Sequence, residues 1–377
     1  MQIHGHVAPG FEGVRDAFAA NFATDGDVGA SFCATKDGEI LVDLWAGVAD
    51  ADTGKPWERD TIVNVYSTTK TMCALTALLL ADRGALDFAR PVAHYWPEFA
   101  ANGKAAVTVA QLMSHSAGLS GWKEKISKDD LYDWDKATAL LAAQAPYWEP
   151  GTAPGYHAMT QGYLVGEVVR RIAGVSLGTL FRTEIAEPLG ADFHIGLPAS
   201  EDARVATLIP PPVGQGIADM TDRPLTANMA SNPAINPLET RTRAWRAAEM
   251  PAANGQGNAR SVAVVQTLVA NGGVSGGKRI LSEAGVRRAL ESQIQGDDLV
   301  LGIPVHYGLG YGLPGGQMPF PNPNSCYWGG YGGSLVINDL DARTTFAYVM
   351  NKMAGTTVGD MRAFRLAMAM WQGLAAT

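Results

Sequence analysis

Long basic runs are missing from this chain of 377 residues, in which 29 Lys and Arg stand against 37 Asp and Glu for a net charge of −8. Beyond isolated pairs such as Arg170-Arg171 there is no cationic stretch. Nucleic acid is therefore not an expected partner, because phosphate backbones need a basic face. The acidity reads as solubility. No stretch approaches the roughly 18 consecutive apolar residues of a membrane span. The opening residues lack the basic start and apolar core of a signal peptide. A soluble, cytoplasmic protein with no membrane partner is the expectation. Cysteine is scarce as well: Cys33, Cys73 and Cys326 are odd in number and without metal-ligand spacing. Buried, reduced thiols follow, with no metal and no cofactor. Repeats and low-complexity tracts are absent.

What remains is ordinary globular material, 47% hydrophobic and 18% charged, long enough for two or three folding units. Residues 10–22 read as an amphipathic helix. Residues 28–35 and 40–47 are β-like runs joined by Lys36-Asp37-Gly38-Glu39, where Asp-Gly marks a hairpin. A helix opening near Ser67 stops at Arg83-Gly84. Helical patterns cover 107–113, 136–145 and 159–172, the last closed by Gly174. Residues 208–258 look irregular, and a loop of that length is usually a lid or pocket wall. Helices return at 261–270 and 282–291. β-like runs follow at 307–311, 325–328, 333–338 and 344–349, and a last helix spans 358–374. Strands at both ends around a helical middle predict an α+β fold with an antiparallel sheet. Residues 1–88 and 255–377 would form the α/β domain, and 89–254 an inserted helical domain with a long pocket-lining loop.

The chemistry concentrates at Ser67-Thr68-Thr69-Lys70. Serine and lysine three apart on a helix share a face, which sets an amine beside a hydroxyl that is inert at its free pKa. Two further S-x-x-K matches, Ser120 to Lys123 and Ser275 to Lys278, contain glycine and lie in loop-like sequence. The G-x-S-x-G match Gly174-Val175-Ser176-Leu177-Gly178 would need a strand before it, and a helix precedes it instead. Ser67 could also be a plain helix N-cap. Tyr156, in Pro154-Gly155-Tyr156-His157-Ala158, precedes a helix. Cys326-Tyr327-Trp328-Gly329-Gly330-Tyr331 leads into a strand, where glycines permit close approach.

Those three features in that order, with Gln111-Leu112-Met113-Ser114-His115-Ser116-Ala117-Gly118-Leu119, resemble the serine β-lactamase-like superfamily, and most closely its family VIII carboxylesterases. The resemblance runs from about Gly10 to the end. It implies a β-lactamase-like fold and an acyl-enzyme on Ser67, with Lys70 as base and Tyr156 in the proton relay. It also implies an oxyanion hole from the backbone N–H groups of Ser67 and Tyr331. Trp328, Gly329, Gly330, Trp122 and His157 are the expected substrate contacts, and His115 is read as structural. In β-lactamases the tyrosine motif ends in asparagine, where this chain has Ala158. Their third motif starts with a carboxylate-binding lysine, replaced here by Trp328. Losing that charge-assisted partner forfeits about 1.5–3 kcal/mol for an anionic substrate. A neutral, short-to-medium acyl ester is the expected substrate. Acyl transfer or β-lactam hydrolysis on the same residues is the alternative, and a non-catalytic binding module a remote one.

Overall fold

The computed structural model describes residues 1–216, 222–316, 318–357 and 359–376. Two expectations fall partly outside them: Val358, the start of the expected last helix, and residues 217–221 of the irregular stretch.

The sheet draws its strands from both ends of the chain. They are β1 (Ile3–Val7), β2 (Gly29–Lys36), β3 (Glu39–Asp50), β4 (Ser325–Gly329), β5 (Leu335–Asp339) and β6 (Thr344–Met350). They lie in the order β1-β3-β2-β6-β5-β4, all antiparallel, and Lys55–Pro56 adds a short seventh strand on β3. The β2–β3 turn is the expected one: Lys36 pairs with Glu39, and Asp37 and Gly38 take φ of 51° and 91°. Positive φ at both positions matches the right-handed twist of the strands, and Asp-Gly tolerates it. β1 was not anticipated. It is a mostly exposed edge strand, so its sequence carries no apolar run.

The longer helices among the described residues are α1 (Glu12–Thr24), α2 (Thr69–Asp82), α3 (Trp134–Ala143), α4 (Thr160–Ala173), α5 (Pro224–Ser231), α6 (Ala259–Ala270) and α7 (Met361–Ala376). Alternate residues of β2 point to opposite faces. Ser31 and Thr35 meet α6, through Ala259 N–H to Ser31 Oγ at 3.1 Å and a 2.6 Å contact of Thr35 and Thr267 hydroxyls. Phe32 packs on Phe346, which meets Trp371 of α7 edge-on. α1 and α7 are packed together on that side. β2 is covered on both faces, hence its nearly unbroken burial. α2 is buried all round from Thr69 to Leu80, as an apolar helix without a polar face must be.

Three expectations need correction. Residues 307–311 are not a strand: Pro304–Tyr307 pairs with Ile294–Asp297, and the chain turns immediately after. The helix expected over 282–291 is only Glu283–Arg287, followed by a 3₁₀ turn. The supposedly irregular 208–258 contains α5, a 3₁₀ turn at Pro237–Arg241, a short helix at Arg243–Ala247 and a two-residue strand, Gln256–Gly257. Pro224 and Pro237 open their elements at the first turn, and Asn236 and Thr242 cap theirs by accepting from Leu238 and Trp245 N–H. Proline there acts as a helix start rather than a breaker.

Candidate active site

Ser67 is held by an irregular turn. The chain leaves the short strand Val63–Asn64, passes Tyr66 at φ +44° and enters a 3₁₀ turn, Tyr66–Thr68, that runs into α2. A bulky residue in the left-handed region is strained, and the turn persists because its neighbours over-determine it. Val65 N–H donates to Gly255 O at 3.0 Å, Gly255 N–H to Thr69 Oγ1 at 2.9 Å, and Ser334 Oγ–H to Val65 O at 2.9 Å. The N-cap position of α2 belongs to Thr68, not Ser67, and no side chain caps there. Ser67 Oγ instead faces Lys70 and Tyr156.

Lys70 Nζ stands 3.1 Å from Ser67 Oγ and donates to Ala158 O at 2.6 Å and Ala252 O at 3.0 Å. Among the described residues no carboxylate forms an ion pair with it, and it is only 1% exposed. Burial therefore pulls its pKa down to about 7. The turn carrying Ala252 reaches it because Gly162 on α4 has no side chain: a Cβ there would sit 2.5 Å from Ala252 N.

Tyr156 O–H donates to Ser67 Oγ at 2.6 Å. Burial drives its pKa far up, and hydrogen bonds with Ser67 and the Trp328 indole only partly offset this. The side chain remains a neutral phenol. It lies on a loop pinned at consecutive peptides: Gly155 N–H to His115 O at 2.9 Å, Tyr156 N–H to Asp298 Oδ1 at 3.0 Å, and His157 N–H to His115 Nδ1 at 3.0 Å.

The end of β4 closes the site. Gly330 approaches the serine turn so nearly that a Cβ would lie 2.2 Å from Val65 O, 2.3 Å from Ser334 Oγ and 3.3 Å from Ser67 N. Beyond it, Gly332 O accepts from Arg362 Nη2 at 2.9 Å, and Arg362 is itself paired with buried Asp27 at 2.7 Å. We expect Gly330→Ala to push this strand end off the turn and lower kcat/KM by about 100-fold, the effect of a displacement near 1 Å. Steady-state assays beside a thermal melt check it.

Two cavities flank Tyr156. One, about 650 Å³ counting its solvent-open mouth, is lined by Ser67, Tyr66, Met159, Met229, Ile235, Trp245 and Tyr331, among others. The second, about 470 Å³ on the same measure, is walled by Leu301, Ile303, Val305, Tyr307, Trp328 and Gly329, among others. Tyr156 and Thr357 line both, and neither has a charged residue among its described lining.

Two expected substrate contacts are placed elsewhere. Trp122 is buried, with its indole N–H on Ala137 O at 3.0 Å and its ring edge-on to Tyr163. Its carbonyl, accepting from Asn232 Nδ2 at 2.8 Å, ties down the segment after α5 that walls the larger cavity. His157 is fully buried. Nδ1–H donates to Gly155 O at 2.6 Å and Nε2 accepts from Leu119 N–H at 3.0 Å. Both nitrogens are thus spent on backbone, and burial takes its pKa down to about 3. His115 is likewise buried, at φ +57°, and its ring lies against Tyr156, Tyr307 and Trp328.

The competing serines have other work. Ser176 caps the helix Leu177–Phe181 and donates to Glu249 Oε1 at 2.6 Å. Ser275 donates to Val264 O while Lys278 reaches Pro188 O. Lys123 Nζ reaches Pro146 O. Sequence reasoning missed the Ala252 carbonyl and Asp298. A carbonyl has no side-chain signature, and Asp298 lies 142 residues from the tyrosine whose amide it holds.

Among the described residues no cluster of His, Cys, Asp or Glu could hold a metal, and no helix is long and apolar enough to cross a membrane. The profile of the Beta-lactamase family matches residues 15–369. A crystal structure of a family VIII carboxylesterase is 46% identical, covers 99% of this chain and 100% of its own, and superposes at a TM-score of 0.94. A penicillin-binding protein homologue from Caulobacter crescentus is 38% identical over 99% of this chain and 100% of its own, with a TM-score of 0.92. Esterase/beta-lactamase LipL of Mycobacterium tuberculosis is 35% identical over 95% of this chain and 85% of its own length. With an S-x-x-K serine and lysine in contact inside an α+β, β-lactamase-like fold, this chain belongs to the beta-lactamase family of serine hydrolases, in its family VIII carboxylesterase branch.

Proposed function

We propose that the protein is a carboxylesterase that cleaves neutral, short-to-medium acyl esters through an acyl-enzyme on Ser67. The observation that carries this reading is the triangle of Lys70 Nζ, Ser67 Oγ and Tyr156 Oη, with edges of 3.1 and 2.6 Å at the serine. Ala158 O and Ala252 O can only accept, so they take both N–H bonds of a neutral amine. The amine lone pair is left facing the Ser67 hydroxyl. Lys70 removes that proton as Oγ bonds to the ester carbon. The carbonyl oxygen gains charge against the Ser67 and Tyr331 backbone N–H groups; one such donor contributes about 2.7–4 kcal/mol to the transition state. Collapse breaks the bond to the leaving oxygen, which takes the Tyr156 proton, and Lys70 ammonium returns a proton to the phenolate. Water then gives a proton to the same pair, attacks the acyl carbon and expels Ser67 Oγ, which recovers its hydrogen.

Neutral substrates are favoured because Trp328 stands where a carboxylate-binding lysine would, and the described cavity linings carry no charge. Trapping with a fluorophosphonate followed by peptide mass spectrometry should place the adduct on Ser67. Esters should be turned over well ahead of a chromogenic cephalosporin. An adduct on Ser176, or cephalosporin turnover without ester turnover, would overturn the proposal.

A further inference from the structure

We propose that Asp298 is a positioning residue for the reaction: its carboxylate fixes where Tyr156 presents its O–H to Ser67 and to the leaving group. The inference rests on the relay role given to Tyr156 above. Asp298 follows the strand Ile294–Asp297 and opens the loop to Pro304–Tyr307. Oδ1 accepts from three backbone N–H groups, those of Tyr156 at 3.0 Å, Val300 at 2.9 Å and Leu301 at 2.8 Å. Oδ2 accepts from Tyr307 O–H at 3.1 Å. The same loop takes hold of the tyrosine segment a second time, through Leu299 N–H to Pro154 O at 2.9 Å.

The group is costly where it stands. It is 1% exposed, and among the described residues no Lys or Arg forms an ion pair with it. A buried carboxylate is tolerated when hydrogen bonds replace its water, and here all four known partners are donors. Those donors belong to the working parts of the site. One is the amide of Tyr156 itself. Another is Tyr307, whose ring packs at 5.6 Å on Trp328 and 5.1 Å on His115, the two rings that flank Tyr156. Tyr156 belongs to no helix or strand, so regular structure does not set its backbone. Asp298 fixes the Tyr156 amide, and His115 takes the amides of Gly155 and His157 on either side of it in sequence. Acid catalysis depends on donor placement at the scale of a hydrogen bond, and a shift near 1 Å costs about 100-fold.

The experiment compares Asp298→Ala, Asp298→Asn and Asp298→Glu, each with and without Tyr156→Phe, on an alkyl ester and the p-nitrophenyl ester of the same acid. p-Nitrophenolate departs without a proton, whereas an alkoxide requires one. Asp298→Ala should lower kcat/KM about 100-fold on the alkyl ester and clearly less on the p-nitrophenyl ester. Asp298→Asn keeps an acceptor oxygen for the three amides and should restore most of the rate. Asp298→Glu keeps the charge but moves it, and should resemble alanine; it carries the comparison if Asp298→Ala does not fold. In the Tyr156→Phe background the Asp298 substitutions should cost less than about twofold, as coupled residues do. Equal losses on both esters, or losses that multiply with Tyr156→Phe, would overturn the role of Asp298 alone. Wild-type turnover of the alkyl ester by Tyr156→Phe would instead overturn the relay on which it rests.

Discussion

Replacing Ser67 with alanine will reduce ester cleavage on the order of a million-fold, the loss that follows removal of a nucleophile acting as part of a unit. The contrast is with Ser176→Ala, in the sequence's other nucleophile-like motif, which should hold kcat/KM within about twofold. Ser176 follows the Gly174 stop of α4, and its hydroxyl serves a helix cap and Glu249. Losing a cap costs about 1 kcal/mol, so that variant should melt earlier while remaining active. Steady-state rates and thermal melts on the two proteins separate the effects. Retained activity in Ser67→Ala would refute the assignment outright.

The second large effect concerns Lys70. General base catalysis contributes about 100- to 10,000-fold, and Lys70→Met should lose that factor. Lys70→Arg should fare no better, since a guanidinium stays charged and cannot take a proton. The pH profile carries the sign. Burial lowers the ammonium pKa to about 7, so the neutral base is the minor form below that pH and the major form above it. kcat/KM should climb about tenfold per pH unit through the acid range and level off above the lysine pKa. Tyr156 adds no nearby alkaline limb, because burial pushes its ionisation upward. A profile flat through pH 6–8, or an acid limb near pH 4, would point to a carboxylate base instead.

What could be read in the residues alone was local. Ser67 and Lys70 meet because three residues make most of a helical turn. Asp37-Gly38 turns the chain because both tolerate positive φ, and Gly174 ends α4 in the left-handed region at φ +73°. Residues 208–258 do wall the larger cavity, but they looked irregular because the elements there, 224–231, 237–241 and 243–247, are too short to show a clear period. Trp122 and His157 were misplaced for another reason. An aromatic ring near a motif looks the same in a string whether it faces substrate or core. What placed these two was a partner distant in sequence, Tyr163 for one ring and the Leu119 amide for the other. Asp298 was illegible on the same ground, as its value depends wholly on a loop that arrives from elsewhere.

The order of strands carries a consequence for synthesis. β2 pairs with β6 along its whole length, and the turn bearing Ser67 is braced by Ser334 and Gly330 near the other end of the chain. A nascent polypeptide that has already displayed its serine and lysine to the ribosome exit still lacks the strand end that braces the serine's turn. Reactivity towards esters should therefore appear late, once the final strands have emerged and paired.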